Sequence, residues 1–256
     1  MRGKFNHARL SSKVFEGLRV SGVVAALSCT IALAQGNKVT GRVEFTPASK
    51  KTREPLPRAV VWLTPVADAY TELTRATPSP PNAHFQLVQR NKRFEPSLLV
   101  VPVGTAVEFP NRDPFFHNVF SLFEGRRFDL GLYEAGSTRT VHFDRPGISY
   151  IFCNIHPEMS SVVIALSTRL YALSNSAGRI SIASVPAGRY MLHVWSEHAL
   201  PDSMEALTRE VTIGADSTSL GTLRLAQNPD PTLAHKNKYG QDYEPAAPSN
   251  PAYPQP

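Results

Sequence analysis

Cysteine is scarce in this sequence. Cys29 and Cys153 are the two cysteines among 256 residues, and Cys29 lies in an N-terminal apolar segment that we expect to be removed. The remainder then contains one cysteine and forms no intramolecular disulfide. A free thiol is a liability in an oxidising compartment, so Cys153 requires an explanation. Ligation of a metal ion explains it better than a buried, inert thiol does, because possible ligands surround it.

Signatures of catalysis and of nucleic-acid binding are also absent from the sequence. It contains no Gly-rich phosphate loop, no Ser-His-Asp arrangement and no histidine cluster suited to zinc or to a second copper centre. The net charge is +6, but residues 1–34 hold five of the basic residues and one acidic residue. The remaining 22 basic and 20 acidic residues give about +2. We therefore expect neither an enzyme nor a nucleic-acid-binding protein.

The N-terminus has the pattern of an export signal. A basic region containing Arg2, Lys4 and Arg19 precedes an apolar run over residues 20–34. That run ends in a small-x-small cleavage pattern before Gln35. Its 15 residues are too few to cross a bilayer comfortably. We predict a cleaved signal over residues 1–34, a periplasmic protein and no stable membrane span; the alternative is an uncleaved anchor.

Long helical patterns are nearly absent, and most of the remaining chain has the composition of β-strands. Short β-branched and aromatic runs alternate with turn residues such as Gly104 and Pro146-Gly147. The central block contains predicted strands at residues 85–88, 98–102, 106–109, 118–122, 138–143, 148–152 and 161–166. Further strands are predicted at residues 39–45, 59–63, 179–182, 185–195, 210–213 and 219–225. The pattern predicts an all-β protein built from sandwiches or barrels.

Two segments interrupt this pattern. The proline-rich stretch 77–82 is interpreted as a boundary or linker. Residues 227–256 contain seven prolines and too little apolar surface to fold alone, so we predict a disordered or surface-draped tail.

Four side chains form the most informative pattern in the sequence. His117 stands upstream, and Cys153, His156 and Met159 follow one another at spacings of three residues. A thiolate, two imidazoles and a thioether are the ligand set of a blue-copper site, with the thioether as the weak axial ligand. The apolar strand 148–152 would deliver Cys153 into a loop that carries His156 and Met159. The other histidines have no partner at a recognised spacing, and we expect them to be structural or solvated: His84, His142, His193, His198 and His235.

These residues resemble the cupredoxin family, in its plastocyanin–amicyanin group. Phe116-His117-Asn118-Val119 is similar to the first-ligand segment of that family, and the spacing Cys-x2-His-x2-Met is similar to that of amicyanin. The resemblance covers residues 84–168. It implies a Greek-key β-sandwich, one type 1 copper ion held by the four residues, and a supporting role for Asn118 in tying the two ligand loops together.

The ligand loop departs from the family pattern at three positions. Glu158 lies inside the loop, where its carboxylate would compete with Met159 for copper. Asn154 and Ile155 stand where relatives often have smaller residues or proline. Zinc in place of copper, and Met159 as simple core packing, are the alternatives at this stage.

The strands outside the copper-binding block form a second resemblance. Segments at residues 39–43, 55–63 and 175–190 are similar to the carboxypeptidase-regulatory-like β-sandwich. We predict that this domain is discontinuous, with residues 35–76 and 169–226 enclosing the cupredoxin domain of residues 84–168. The alternative is one enlarged cupredoxin sheet followed by a small C-terminal sandwich. The whole arrangement is similar to exported plastocyanin-like proteins often labelled methylamine-utilisation proteins.

The resemblance implies a carrier of single electrons. The edge of His156, ringed by Phe115, Ile155 and Pro157, would be the port for a transient redox partner. Apolar neighbours would exclude water from the ion and help to set its reduction potential: Phe115, Phe116, Val119, Phe152 and Ile155. Two alternatives remain: a copper store or chaperone without electron transfer, and an interaction scaffold that binds no metal.

Overall fold

The computed structural model describes residues 37–46, 57–66, 84–122, 125–214, 219–228 and 235–243. Within them the chain is almost entirely β-structure, which confirms the predicted fold class, and one short helix is present, α1 (Pro201–Leu207). The strands are β1 (Asn37–Thr46), β2 (Val60–Pro65), β3 (Phe85–Gln86), β4 (Val88–Arg90), β5 (Arg93–Glu95), β6 (Leu98–Pro102), β7 (Thr105–Pro110), β8 (His117–Ser121), β9 (Phe128–Tyr133), β10 (Thr138–Phe143), β11 (Gly147–Cys153), β12 (Ser160–Leu166), β13 (Tyr171–Leu173), β14 (Arg179–Val185), β15 (Gly188–Trp195), β16 (Arg209–Ile213) and β17 (Ser219–Ala226).

Strands β3 to β12 form one sandwich, called here the site-bearing sandwich. A five-stranded sheet has the order β6-β12-β11-β8-β9, and a three-stranded sheet has the order β10-β7-β3. Strands β4 and β5 form a separate hairpin. A single core cluster contains residues of both sheets, among them Phe109 and Val141 from one sheet and Val119 and Ile151 from the other. Inward-facing residues of two sheets therefore bury each other, as in other β-sandwiches.

Strand β12 is covered on both faces. Val163 and Ala165 point into the core of the site-bearing sandwich, whereas Val162, Ile164 and Leu166 belong to a different buried cluster. Successive side chains of a strand point to opposite faces, so an unbroken apolar run is expected where both faces are covered. The apolar sequence of β12 follows from this position.

The remaining strands form a second sandwich, with sheets ordered β14-β1-β17 and β13-β2-β15-β16. Its core includes Val39, Leu63, Tyr190 and Leu223, all buried. Strand β2 precedes the site-bearing sandwich in the chain, and its partners β13 and β15 follow that sandwich. This pairing is the observation in favour of the predicted insertion of residues 84–168 into a discontinuous domain.

The two sandwiches share a buried apolar contact. Val60 and Trp195 of the second sandwich lie in one cluster with Val100, Val162 and Ile164 of the site-bearing sandwich. Strands β2 and β15 therefore cover the outer face of strands β6 and β12. The described residues of the two sandwiches accordingly belong to one structural unit.

Most predicted strands agree with the observed strands to within a few residues. Sequence analysis missed β5, β9 and β13, each of them short or interrupted by a polar residue or glycine, and the helix α1 that begins at Pro201. The predicted export signal and the proline-rich stretch 77–82 lie outside the described residues. Within the part of the chain that the structure describes, no helix combines the length and the apolar character needed to cross a membrane.

Candidate metal centre

Strand pairing brings two of the predicted ligands to one end of the five-stranded sheet. His117 is the first residue of β8, and Cys153 is the last residue of β11. These strands are antiparallel, and Cys153 pairs with Val119. The end of one strand therefore meets the start of the other, although 36 residues separate His117 from Cys153 along the chain.

The ligand loop between β11 and β12 returns two more residues to the same place. The amide of Met159 donates to the carbonyl oxygen of His156 at 3.1 Å, and the amide of Cys153 donates to that of Met159 at 3.3 Å. These bonds close a tight loop, so the chain returns to the backbone of Cys153 after six residues.

Three donor atoms converge in this region. Nδ1 of His117 lies 3.6 Å from Sγ of Cys153, and Nδ1 of His156 lies 3.5 Å from the same sulfur. The three possible ligand atoms all lie within 4.8 Å of one another. His117 and Cys153 are fully buried, whereas His156 is half-buried.

These separations are those that one metal ion requires. With bonds of about 2.0 Å to nitrogen and about 2.3 Å to sulfur, and angles of about 110–120°, nitrogen and sulfur lie about 3.5–3.8 Å apart. Both measured separations are within or near that range. The donor set, a thiolate with two imidazoles, suits copper or zinc, and a nearby thioether favours copper.

Three backbone amides point at the sulfur of Cys153. They belong to Asn118, Ile155 and His156, and their hydrogen bonds favour the thiolate. Burial nevertheless raises the pKa of the Cys153 thiol overall, because desolvation of the charged form outweighs the three bonds. A bound cation would reverse this balance, since a coordinating thiol loses its proton to the metal.

Asp113 is a component of the site that sequence analysis missed. Its Oδ2 lies 2.9 Å from Nε2 of His117, and both side chains are buried. Burial alone would raise the pKa of Asp113, but hydrogen bonds from His117 and from two amides lower it overall. The carboxylate is therefore ionised and accepts a hydrogen bond from the Nε2–H group of His117, which leaves the lone pair of Nδ1 facing Cys153. A carboxylate in this position orients a ligating imidazole and raises its basicity.

The position of Asp113 is itself set by two turns. The side chain of Asn111 accepts from the Asp113 amide at 3.0 Å and donates to the carbonyl of Phe115 at 2.8 Å. In the hairpin between β4 and β5, Asn91 and Lys92 have φ values of 53° and 52°, which two-residue hairpin turns require. Their amides donate to the Asp113 carboxylate at 2.5 and 3.1 Å. The signal in the sequence was an aspartate four residues before His117.

Met159 and Glu158 occupy opposite sides of the ligand loop. Met159 is fully buried in the core cluster that also contains Cys153, whereas Glu158 is exposed. Among the described residues, the group of converging donors comprises His117, Cys153 and His156, without the Glu158 carboxylate. The side chain of Met159 is therefore part of the apolar core that contains Cys153, whereas that of Glu158 faces solvent.

Asn118 links the two ligand-bearing segments through its backbone. Its carbonyl accepts from the Asn154 amide at 2.8 Å, and its amide points at Cys153. Its side chain instead donates to Asp129 of β9 at 2.7 Å. The pairing of β8 with β9 shifts register between Asn118 and Phe120, and such irregularities commonly redirect side chains next to a site.

The ring of Phe115 lies beside both imidazoles of the site. The ring of Phe115 lies 5.3 Å from that of His117 and 5.5 Å from that of His156. The expectation that Phe116 and Ile155 exclude water from the ion was wrong, because they are 50% and 45% exposed. Phe116 adjoins the buried His117 at the start of β8, and successive side chains there face opposite sides. Phe116 and Ile155 instead add exposed apolar surface next to Phe115 and His156 in the chain.

Comparison with known proteins gave structural similarities of low degree. No protein-family model matches the sequence, and no curated protein gave a significant match. A purple cupredoxin from Nitrosopumilus maritimus is 23% identical, with 32% of this chain and 99% of that chain covered and a TM-score of 0.30. Amicyanin from Paracoccus versutus is 19% identical over 34% and 85% of the chains, with a TM-score of 0.29. A copper-containing nitrite reductase from Thermus scotoductus is 21% identical over 48% and 28%, with a TM-score of 0.32. These similarities are weak, so the function proposed next depends on the geometry of the site.

Proposed function

We propose that this protein binds one type 1 copper ion through His117, Cys153, His156 and Met159 and carries single electrons between redox proteins. The observation that supports this most directly is the convergence of two imidazole nitrogens on one buried sulfur, at 3.6 and 3.5 Å. Copper in such a ligand set would supply a reversible one-electron couple. The role of the protein is then to hold the donors, exclude water and admit a partner.

The residues around the donors are suited to a site that changes little between oxidation states. Asp113 holds His117 by a buried hydrogen bond, and three amides hold the sulfur of Cys153. Donors that are fixed before the ion arrives need little reorganisation when its charge changes. Zinc would also bind part of this donor set, but a thioether is not among the usual protein ligands of zinc.

His156 is the best candidate for the port of electron exchange. It is half-buried, whereas His117, Cys153 and Met159 are fully buried. Ile155 directly precedes His156, and Phe116 follows Phe115, whose ring lies 5.5 Å from that of His156. Both Ile155 and Phe116 are exposed and apolar. We propose that a redox partner docks there transiently, through a small interface, as is usual for electron carriers.

The second sandwich is proposed to be a scaffold of carboxypeptidase-regulatory-like type. The pairing of β2 with β13 and β15 supports this, because it joins strands from both sides of residues 84–168. The N-terminal sequence pattern is the basis for proposing export to the periplasm with cleavage after residue 34. We assign the protein no catalytic role.

A titration of the purified protein with Cu(II) tests the proposed function. One equivalent should produce an intense visible thiolate-to-copper band that ascorbate bleaches and an oxidant restores. A colourless complex would contradict the proposed site. Tight binding of Cu(I) without reversible oxidation would instead favour a copper store or chaperone. No binding at all, measured as an unchanged unfolding temperature, would favour an interaction scaffold.

A further inference from the structure

We propose that the C-terminal segment 235–243, called here the C-terminal strap, is a positioning element of the metal centre. In this proposal it holds the ligand loop closed, and Tyr243 makes the decisive contact. The inference rests on the proposed metal site for its functional meaning. The mechanical part, that the strap restrains the loop around Cys153, can be tested without any metal.

Tyr243 reaches the metal centre from 90 residues away in sequence. Its hydroxyl donates to the backbone carbonyl of Cys153 at 2.8 Å. It also lies 3.0 Å from Nδ1 of His235, and that nitrogen lies 3.2 Å from the carbonyl of Lys236. Because a carbonyl only accepts, the hydroxyl of Tyr243 donates its hydrogen to Cys153. His235 lies within hydrogen-bond distance of the same hydroxyl and so restricts the position of the tyrosine side chain.

The strap also grips the residues on either side of Cys153. The ring of His235 lies 3.9 Å from the ring of Phe152, which directly precedes the cysteine. The amide of Lys238 donates to Oδ1 of Asn154 at 2.9 Å. Residues 152, 153 and 154 are thus each contacted by a different residue of the strap.

Lys238 extends the restraint to the segment that carries His117. Its ammonium group lies 2.8 Å from Oδ2 of Asp129. The other oxygen of Asp129 accepts from the side chain of Asn118 at 2.7 Å, the residue next to His117. Asp129 thereby connects the strap to the start of β8. Both ligand-bearing segments are tied to the same nine residues at the C-terminal end of the described chain.

The strap would support the loop that carries two of the candidate ligands. His156 and Met159 belong to a loop, and sites carried by loops are less exact than sites carried by strands unless neighbouring residues support them. A loop held in its binding geometry loses little conformational freedom when an ion binds. We therefore expect the strap to slow both the opening of the loop and the escape of the ion.

Alkylation of Cys153 in the metal-free protein tests the mechanical claim. Cys153 is fully buried, so a maleimide reagent reaches it only when the loop opens. Tyr243→Phe removes the single donated hydrogen bond and should raise the rate about fivefold, followed by the mass of the peptide that contains Cys153. The matched control is Tyr171→Phe, the same change in strand β13 of the second sandwich, and it should leave the rate unchanged.

Two more variants keep the test decisive. Lys238→Gln should raise the rate by less than Tyr243→Phe, and a chain ending at Asn228 should raise it most. The urea midpoint of Tyr243→Phe should fall slightly below that of Tyr171→Phe, because the folded state itself loses one hydrogen bond. The alkylation rate should nevertheless change little with low concentrations of urea, because a local opening exposes little surface. Equal alkylation rates in the wild type, Tyr243→Phe and the shortened chain would overturn the proposal. So would an alkylation rate that rises with urea as steeply as global unfolding does, because Cys153 would then be reached only by unfolding of the whole protein.

Copper release separates this inference from the proposed function. In the Cu(II) form, Tyr243→Phe should shift the thiolate-to-copper band. After reduction it should release the ion to a Cu(I) chelator about fivefold faster than the control Tyr171→Phe. If the wild type forms no such band, the proposed function fails, while the alkylation result still decides the role of the strap. If the band forms but Tyr243→Phe releases copper at the wild-type rate, the strap does not support the metal centre.

Discussion

His193 in the second sandwich and His117 in the site-bearing sandwich differ in where they stand on their strands. His193 is inside β15, opposite Trp62 of β2, and the two rings stack with their centroids 5.0 Å apart. His117 is the first residue of β8 and meets the last residue of β11. A side chain in the middle of a strand contacts the residue opposite it on the neighbouring strand, as His193 does. A side chain at the end of a strand can also contact the loops that follow other strands, as His117 does.

The position of each histidine on its strand explains how two similar sandwiches can have different roles. Each has two packed sheets and one main apolar core. In the site-bearing sandwich the loops at one end carry donors that the sheet order brings together. Burial lowers the pKa of both His193 and His117, so a shifted pKa does not distinguish the metal candidate. His117 is distinguished instead by its close neighbours, the carboxylate of Asp113 and the sulfur of Cys153.

The largest expected effect is the loss of the visible band in Cys153→Ser. A hydroxyl is a poor ligand for copper in place of a thiolate, so the thiolate-to-copper band should disappear completely. The matched control is Ser149→Ala, a buried position on the same strand, which should keep the band. Absorption spectra after addition of one equivalent of Cu(II) measure both variants. A band that survives in Cys153→Ser would break the assignment of the site.

Two core substitutions, one in each sandwich, test which sandwich affects the metal centre. Leu63→Ala in the second sandwich and Ile151→Ala in β11 each remove a fully buried side chain. Each should lower the free energy of unfolding by about 2–5 kcal/mol. If the second sandwich is a scaffold, only Ile151→Ala, two residues from Cys153, should also shift the band. Urea titration and absorption spectra give the two readouts, and a shifted band in Leu63→Ala would contradict the scaffold role.

Asp113→Asn should weaken copper binding by about tenfold to a hundredfold, as loss of a group that orients a ligating histidine usually does. The amide side chain is neutral and supports the basicity of His117 less. Competition with a chelator of known affinity measures the change. Asp144→Asn is the control, because Asp144 is exposed and contacts Arg126 at 3.4 Å, away from the histidines. Equal affinities in both variants would remove Asp113 from the site.

The smallest expected effect concerns the pH dependence of stability in the second sandwich. Burial lowers the pKa of His193 below its ordinary value of 6.5. The unfolded chain then binds more protons than the folded chain as the pH falls through about 6.5, so stability is lost in that direction. His193→Phe keeps a ring against Trp62 and removes this proton, so the loss of stability between pH 7 and 5 should become smaller. His142→Phe, at an exposed position of β10, is the control. Urea midpoints at both pH values that fall equally in the two variants would contradict the assignment.

Much of the candidate site could be predicted because its signals are local. Cys153, His156 and Met159 lie in one loop, and the apolar strand before them has a readable pattern. Asp113 could not be assigned a role, since its contact with His117 depends on the Asn111 turn and on the β4–β5 hairpin. The strap was missed for the same reason. Its histidine and tyrosine have no recognised spacing to Cys153, and only folding places them beside it.

Composition and spacing alone determined that this chain is built of β-strands and selected His117, Cys153, His156 and Met159 as candidate ligands. These properties depend on side-chain chemistry and on alternation along short segments, both of which are written locally. Tertiary structure decided which oxygen orients His117, which side of the loop Met159 takes and that a distant tyrosine holds Cys153. Such choices depend on which strand ends become neighbours, and the order of strands in a sheet is set by the packing of the whole chain.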